Sequence, residues 1–278
     1  MKHLRERDEE GEQSLQRFHV TAERVDKRDR VLLKNEEERS VFEEVFDRQT
    51  LMILYSMSNN GLFSYLNGAI SSGKEARVYW GVDEKKANVA VKIYLVASSD
   101  YKKRLHYVVG DPRFRKIRKD SRGIAELWAR KEFINLQQAE MAGVRVPHPR
   151  AFEGNVLVMD FVGEDGIRAP RLYETKVTKS DYESIIRQLR LLYSKAKLVH
   201  CDISEFNILK LGGEIILFDF GSGVSIEHPS ADEYLKRDIH NLNAFFSKQG
   251  IGTITEEKLF ARISGKRDRK NEATGAEQ

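Results

Sequence analysis

The chain has 278 residues, 40% of them hydrophobic and 32% charged, with a formal net charge of +4. That length and apolar content support one large domain or two smaller ones around a real core. The absence of any run of 18 apolar residues excludes a transmembrane helix. A single cysteine, Cys201, excludes an intrachain disulfide; with an N-terminal MKHLRERDEEGEQ that has no apolar stretch for a secretory signal, it places the expected protein in a reducing cytoplasm.

Residues 1–40 are densely and almost evenly charged, which reads as an extension with few core contacts. Apolar residues at helical spacing follow (Val41, Phe42, Val45, Phe46, then Leu51, Ile53, Leu54), and Asn59-Asn60-Gly61 closes that helix with Gly61 as its cap. From Gly68 the pattern becomes strand-like. GAISSGKEARVYWGV predicts a strand, a turn at Ser71-Ser72-Gly73 and a second strand through Val78 and Trp80. Asn88–Val96, rich in β-branched residues, predicts a third. Residues 98–123 then concentrate nine Lys/Arg against three Asp, a local +6 that leaves the rest of the chain at −2. Such a patch is an electrostatic footprint for a phosphate-rich partner.

Ile124, Leu127, Trp128, Phe133 and Leu136 recur at three and four residues and predict a helix ending at Gly143. VRVPHPRAF and NVLVMDFV predict two more strands around Gly154. DYESIIRQLRLLYSKAK predicts a helix capped by Ser180 or Asp181. EIILFDFGSG reads as a strand ending in Asp219-Phe220-Gly221, and ADEYLKRDIHNLNAFFSKQG as the last strong helix, with a polar tail after Ser264. Strands first and helices later predict an α+β protein with an antiparallel sheet lobe and a helical lobe.

The chemistry sits in LVHCDISEFNILK. His200, Asp202 and Asn207 fit H-x-D-x-x-x-x-N, in which the Asp accepts or orients the proton of an attacking hydroxyl and the Asn holds magnesium. Twelve residues after Asn207 comes Asp219-Phe220-Gly221, whose aspartate binds metal at the phosphates. Lys92 in VAVKIY matches the strand lysine that contacts the α- and β-phosphates of ATP. Its expected helix partner is Glu132, with Glu126 second. Ser72, Gly73 and Lys74 occupy the turn where a phosphate-covering loop belongs, and Gly73 permits close backbone approach.

The loop SSGKEARVYW, the catalytic loop HCDISEFNIL with its Ser204, KEFINL, AGVRVPHP, VLVMDFVGEDG and HPSADEYLKRDIHNLNAFFSKQG resemble RIO kinases of the type-one branch, from about Val41 to Gly250. The resemblance implies a two-lobed protein-kinase-like fold. Residues 1–60 would form a charged helical extension and 61–162 the N-lobe with its basic insert 98–123. Residues 163–264 would form a reduced C-lobe and 265–278 a tail. It implies that Met159, the Asp160 carbonyl and the Val162 N–H line the adenine pocket with Val78. The cofactors implied are ATP with Mg2+, or Mn2+ in its place.

The chain departs from ordinary protein kinases in having one loop glycine, His-Cys-Asp for His-Arg-Asp, and no A-P-E after Asp219. The 59 residues after Asp219 are too few for an activation segment and the usual peptide-binding helices, both of which RIO kinases lack, so the resemblance implies phosphoryl transfer and ATPase activity, with Asp219 itself able to accept the phosphoryl group. It further implies work in maturation of the small ribosomal subunit, with rRNA bound through residues 98–123 and no part for DNA or membrane. Two other classes fit the same residues: a small-molecule phosphotransferase, and a non-catalytic ATP-gated module that binds pre-ribosomes.

Overall fold

The computed structural model describes residues 46–266 except 97, 99, 115–117 and 165, with backbone alone at 100–103. The expected extension before residue 46, the tail beyond 266, and Arg115 and Lys116 of the basic segment lie outside the described residues.

The described residues divide into two compact units. The first holds the residues up to Tyr101 together with Arg118–Arg130 and Pro149–Arg168. It opens with helix α1 (Arg48–Asn59), capped by Asp47, whose Oδ1 accepts from Thr50 N–H at 3.1 Å. Asn60 is its C-cap, and Gly61 takes the left-handed conformation just beyond, φ +75°. Strands β1 (Tyr65–Ser72), β2 (Ala76–Val82), β3 (Asn88–Tyr94), β4 (Pro149–Glu153) and β5 (Val156–Asp160) form one antiparallel sheet ordered β1-β2-β3-β5-β4. A small hairpin, β6 (Gly163–Glu164) with β7 (Ile167–Arg168), ends this unit.

The period-two pattern sorts the sheet's faces. Tyr79, Val89, Val91, Ile93, Val156 and Val158 turn to one side and pack with Ile53, Leu54, Met57 and Phe63 into one core. Asn155 fastens α1 to the sheet from inside, donating to Tyr94 O at 2.7 Å and to Thr50 Oγ1 at 3.1 Å. The other face is thereby left to carry chemistry.

The second unit holds Lys102–Ile117, Lys131–His148 and the described residues from Ala169 onward. Helix α2 (Ser121–Met141), whose residues through Arg130 belong to the first unit and from Lys131 onward to the second, buries Ile124, Leu127, Trp128 and Leu136, and stops before Gly143, φ +83°. Helix α3 (Lys179–Ser194) begins earlier than its sequence predicts. Thr178, not Ser180 or Asp181, is the cap, because Asp181 at N3 accepts from Thr178 N–H at 2.7 Å and completes a capping box. The strand predicted to end in Asp219-Phe220-Gly221 stops at Leu217: β10 (Glu214–Leu217) pairs only with β9 (Ile208–Leu211), and a 3₁₀ turn covers Phe220–Ser222.

Two short strands, β8 (Leu198–Val199) and β11 (Val224–Ser225), pair to bracket that turn. Helix α4 (Ala231–Lys248) is the helix predicted there. Helix α5 (Glu256–Ser264), which buries Leu259, Phe260 and Ile263, was not foreseen in that polar-looking stretch. Among the described residues, no helix is long and apolar enough to cross a membrane.

Candidate active site

In the first unit the sheet face turned away from α1 gathers several of the predicted nucleotide residues. Lys92 on β3 lies opposite Val78 on β2 and Leu157 on β5, while Ala90 lies opposite Trp80 and Met159. Directly opposed residues share a face, so Val78, Lys92 and Met159 stand on one surface. Lys92 is only 9% exposed, with Nζ 5.3 Å from the Tyr94 ring centroid. Asp160 ends β5, and its carboxylate accepts from Arg150 Nε at 2.5 Å; Val162 follows the strand. Ser71 and Ser72 turn out to continue β1, Ser72 opposite Arg77, so the turn is confined to Gly73-Lys74-Glu75. Gly73 N–H closes it onto Ala76 O at 3.0 Å, and a Cβ at Gly73 would stand 3.3 Å from that oxygen. Glu126 forms an ion pair with Arg118 at 3.3 Å.

The second unit holds the acid–base and metal candidates. Asn207 Nδ2 donates to both Asp202 O at 2.9 Å and Asp202 Oδ2 at 3.0 Å. Both N–H bonds go to Asp202, which leaves the amide oxygen as the atom for a cation. Ser204 is half-buried and accepts Asn207 N–H through its backbone oxygen at 3.1 Å, a loop-closing role. His200 Nε2 faces Phe218 O at 3.1 Å and so carries the proton, with its ring 4.5 Å from that of Phe220. Asp219 follows with φ +61° and ψ +63°, a left-handed conformation costly to a residue with a Cβ. Glu132 on α2 is fully buried.

Asp202 reaches solvent on one side and is packed on the others. That desolvation pushes its carboxyl above the ordinary range, the Asp219 charge adds to the rise, and His200, Arg104 and Asn207 act against it.

Several residues that hold these loops escaped the sequence reading. Asp238 on α4, fully buried, accepts from Cys201 N–H at 2.8 Å and Ile203 N–H at 3.0 Å, one residue either side of Asp202. Arg237 donates to Cys201 O at 2.5 Å. Together they hold Cys201 at φ +68°, another left-handed non-glycine. Burial pushes the Asp238 carboxyl up to about 6 and the Cys201 thiol well above its usual value. Lys131 on α2 is completely buried and donates to Gly221 O at 3.0 Å and to Gly223 O; desolvation pulls its ammonium down to about 7. Asn135, one turn on, donates to Phe220 O at 2.8 Å and Gly223 O at 2.9 Å.

The signal for these residues was periodicity. Lys131 and Asn135 fall four and eight residues after Leu127, and Asp238 three after Leu235, where an apolar residue was due. The basic segment also differs from a uniformly solvated run. Arg104 donates to Ser222 Oγ, Arg113 to Asp111, Asn135 and Gln138, Arg118 to Asp120 and Glu126, and Arg122 to Asp47.

With this geometry in place, comparison with known proteins is direct. The RIO domain family model matches residues 77–259. RIO-type serine/threonine-protein kinase Rio1 of Haloferax volcanii is 42% identical over 238 residues, covering 85% of this chain and 81% of that protein. Serine/threonine-protein kinase RIO1 of Homo sapiens is 36% identical over 238 residues, covering 84% of this chain but 42% of the human protein, so the chain spans less than half of that relative. Among solved structures, the Rio2 kinase–ADP/Mg2+–phosphoaspartate complex from Chaetomium thermophilum aligns at a TM-score of 0.60 and 22% identity, covering 78% of this chain and 67% of that one. The likeness supports the α+β class predicted from the order of strands and helices and the kinase-like fold that the resemblance implied.

Proposed function

Because the chain is a protein kinase of the RIO family, on its type-one branch, we propose that it binds ATP with Mg2+ and transfers or hydrolyses the γ-phosphoryl group. Asp202 is the residue that orients the acceptor. Lys92, sharing a sheet face with Val78 and Met159, would neutralise the α- and β-phosphates. The Gly73 turn would cover the phosphates, Ser204 would keep the catalytic loop closed, and the backbone at Asp160 and Val162 would meet adenine.

The donor chemistry fits Mg2+. Asn207 and Asp219 offer hard oxygen ligands, and among the described residues no group of three or more His, Cys, Asp or Glu is placed to hold a metal by itself. A cation held by one or two side chains plus phosphate oxygens is the usual Mg2+ arrangement. When bound, the ion draws charge off the phosphates.

The observation that carries the reading is the hydrogen-bonded set Asp202–Asn207 followed by the left-handed Asp219. The segment after Asp219 narrows the choice of acceptor: residues 220–230 hold only a 3₁₀ turn, β11 and a short connection before α4. That leaves little for an activation segment to dock a peptide, which favours water or Asp219 as acceptor. The fungal Rio2 complex is described as containing phosphoaspartate. We place the protein's work in the cytoplasm, on maturing small ribosomal subunits, with rRNA approached by the exposed part of residues 98–123.

Incubation with Mg2+ and γ-labelled ATP tests the core of this. The expected result is phosphate release together with a hydroxylamine-sensitive label that Asp219→Asn abolishes. Label found only as phosphoserine would overturn the role of Asp219 as acceptor, and neither label nor release would overturn the kinase reading. Co-sedimentation with small-subunit particles, with and without ATP, tests the partner; no binding in either state would refute it.

A further inference from the structure

The turn after Asp219 is gripped from one helix. Its carbonyls at Phe220, Gly221 and Gly223 all accept hydrogen bonds from the two α2 side chains Lys131 and Asn135, which sit four residues apart on one face. Asn135 is itself oriented, because its Oδ1 accepts from Arg113 Nη1 at 2.8 Å while Arg113 is held by Asp111 at 2.7 Å. Asp111 also accepts Ser225 N–H at 3.2 Å, tying down the far end of the turn. Gly223 makes room for the grip: a Cβ there would lie 3.0 Å from Asn135 Nδ2 and 3.3 Å from both Phe220 O and Val199 O.

Two physical points turn this from packing into function. A fully buried lysine carries a desolvation penalty that an apolar residue of similar size would not, so packing alone gives no reason for Lys131. A left-handed, non-glycine Asp219 persists only where its surroundings over-determine it. Upstream it is held through Phe218, whose oxygen meets His200; downstream the restraint is the clamp.

We infer that Lys131 and Asn135 are positioning residues that set the Asp219 carboxylate for its metal by clamping the Phe220, Gly221 and Gly223 carbonyls just after it. Neither touches the metal; they act through the backbone. The inference rests on the reading that Asp219 is a metal ligand.

The test is ADP affinity by titration, with Mg2+ and in EDTA, for wild type, Lys131→Met, Asn135→Asp and Asp219→Asn. Asn135→Asp keeps size and the Arg113 contact but turns an acceptor toward two carbonyls. In both clamp variants the tightening of ADP by Mg2+ is expected to fall about tenfold, the usual scale for residues that orient a metal ligand. Affinity in EDTA should stay close to that of wild type, because the clamp acts through the metal that Asp219 holds.

If Asp219→Asn removes the Mg2+ effect while the folded clamp variants keep it, the clamp is overturned and the metal reading stands. If Asp219→Asn itself leaves the Mg2+ effect intact, the metal reading fails and takes the clamp with it. An equal loss of affinity in EDTA, or failure of both clamp variants to fold, would make the pair a core strut and also overturn the proposal.

Discussion

Lys131 gives the fold an unusual pH signature, and Lys131→Met isolates it. The ammonium is fully buried, and its ordinary pKa of 10.5 is pulled down to about 7, with desolvation the leading cause. The charges of Arg113 and Arg104 push the same way, while Asp111 and the Cys201 thiol oppose them. Below about pH 7 this lysine is protonated in both folded and unfolded chains, so its burial cost is borne in full. From about pH 7 up to 10.5 the folded chain has released a proton that the unfolded chain keeps, so stability rises with pH, by about 1.4 kcal/mol per unit. Between pH 6.5 and 8.5 the gain is about 2 kcal/mol, since the lysine is still partly charged at the start of that window.

Lys131→Met removes the titration. Urea unfolding of both proteins at the two pH values should therefore show the stability difference between wild type and variant shifting by about 2 kcal/mol in favour of wild type at the higher pH. The comparison cancels every other group, the thiol of Cys201 included. A difference that does not move with pH would mean that Lys131 stays charged in its burial, and the reasoning from desolvation would fail.

Three further perturbations probe the scaffold and the chemistry. Asp202→Ala should lower ATP turnover by about 10²–10⁴-fold with ADP binding retained, and undiminished turnover would remove Asp202 from the mechanism. Asn155→Ala takes the donor from the buried Tyr94 O and the partner from Thr50, and should cost about 1–3 kcal/mol in urea unfolding. Gly81→Ala puts a Cβ 2.9 Å from both Leu66 Cδ2 and Tyr65 O, an overpacking worth about 1–3 kcal/mol; a variant as stable as wild type would show that β1 can shift to admit a methyl group.

The strands and helices were legible where each carried its own period. Asn88–Tyr94 was legible as a strand from its β-branched residues, and the register that sets Lys92 opposite Val78 and Leu157 puts it on the face away from Val91 and Ile93. Helix α5 was hidden because its apolar residues span only nine positions in a charged stretch, too short a window for a period to stand out. The start of α3 was misread by two or three residues because Ser180 and Asp181 are as able to cap as Thr178; the reciprocal bond of the capping box chose.

By itself the sequence singled out the candidate set for the chemistry. Lys92, Asp202, Asn207 and Asp219 are few, polar and spaced by local rules that survive without knowledge of contacts. Only the tertiary structure decided what restrains them. Arg104 meets Ser222, Arg113 meets Asn135, and Cys201 and Ile203 meet Asp238, across separations of 118, 22, 37 and 35 residues. No local pattern encodes such pairings, because a buried charge is specified by the partner that meets it after the chain has folded. A run of arginines that reads as a surface for phosphate thus proves in part to be the internal support of a strained aspartate.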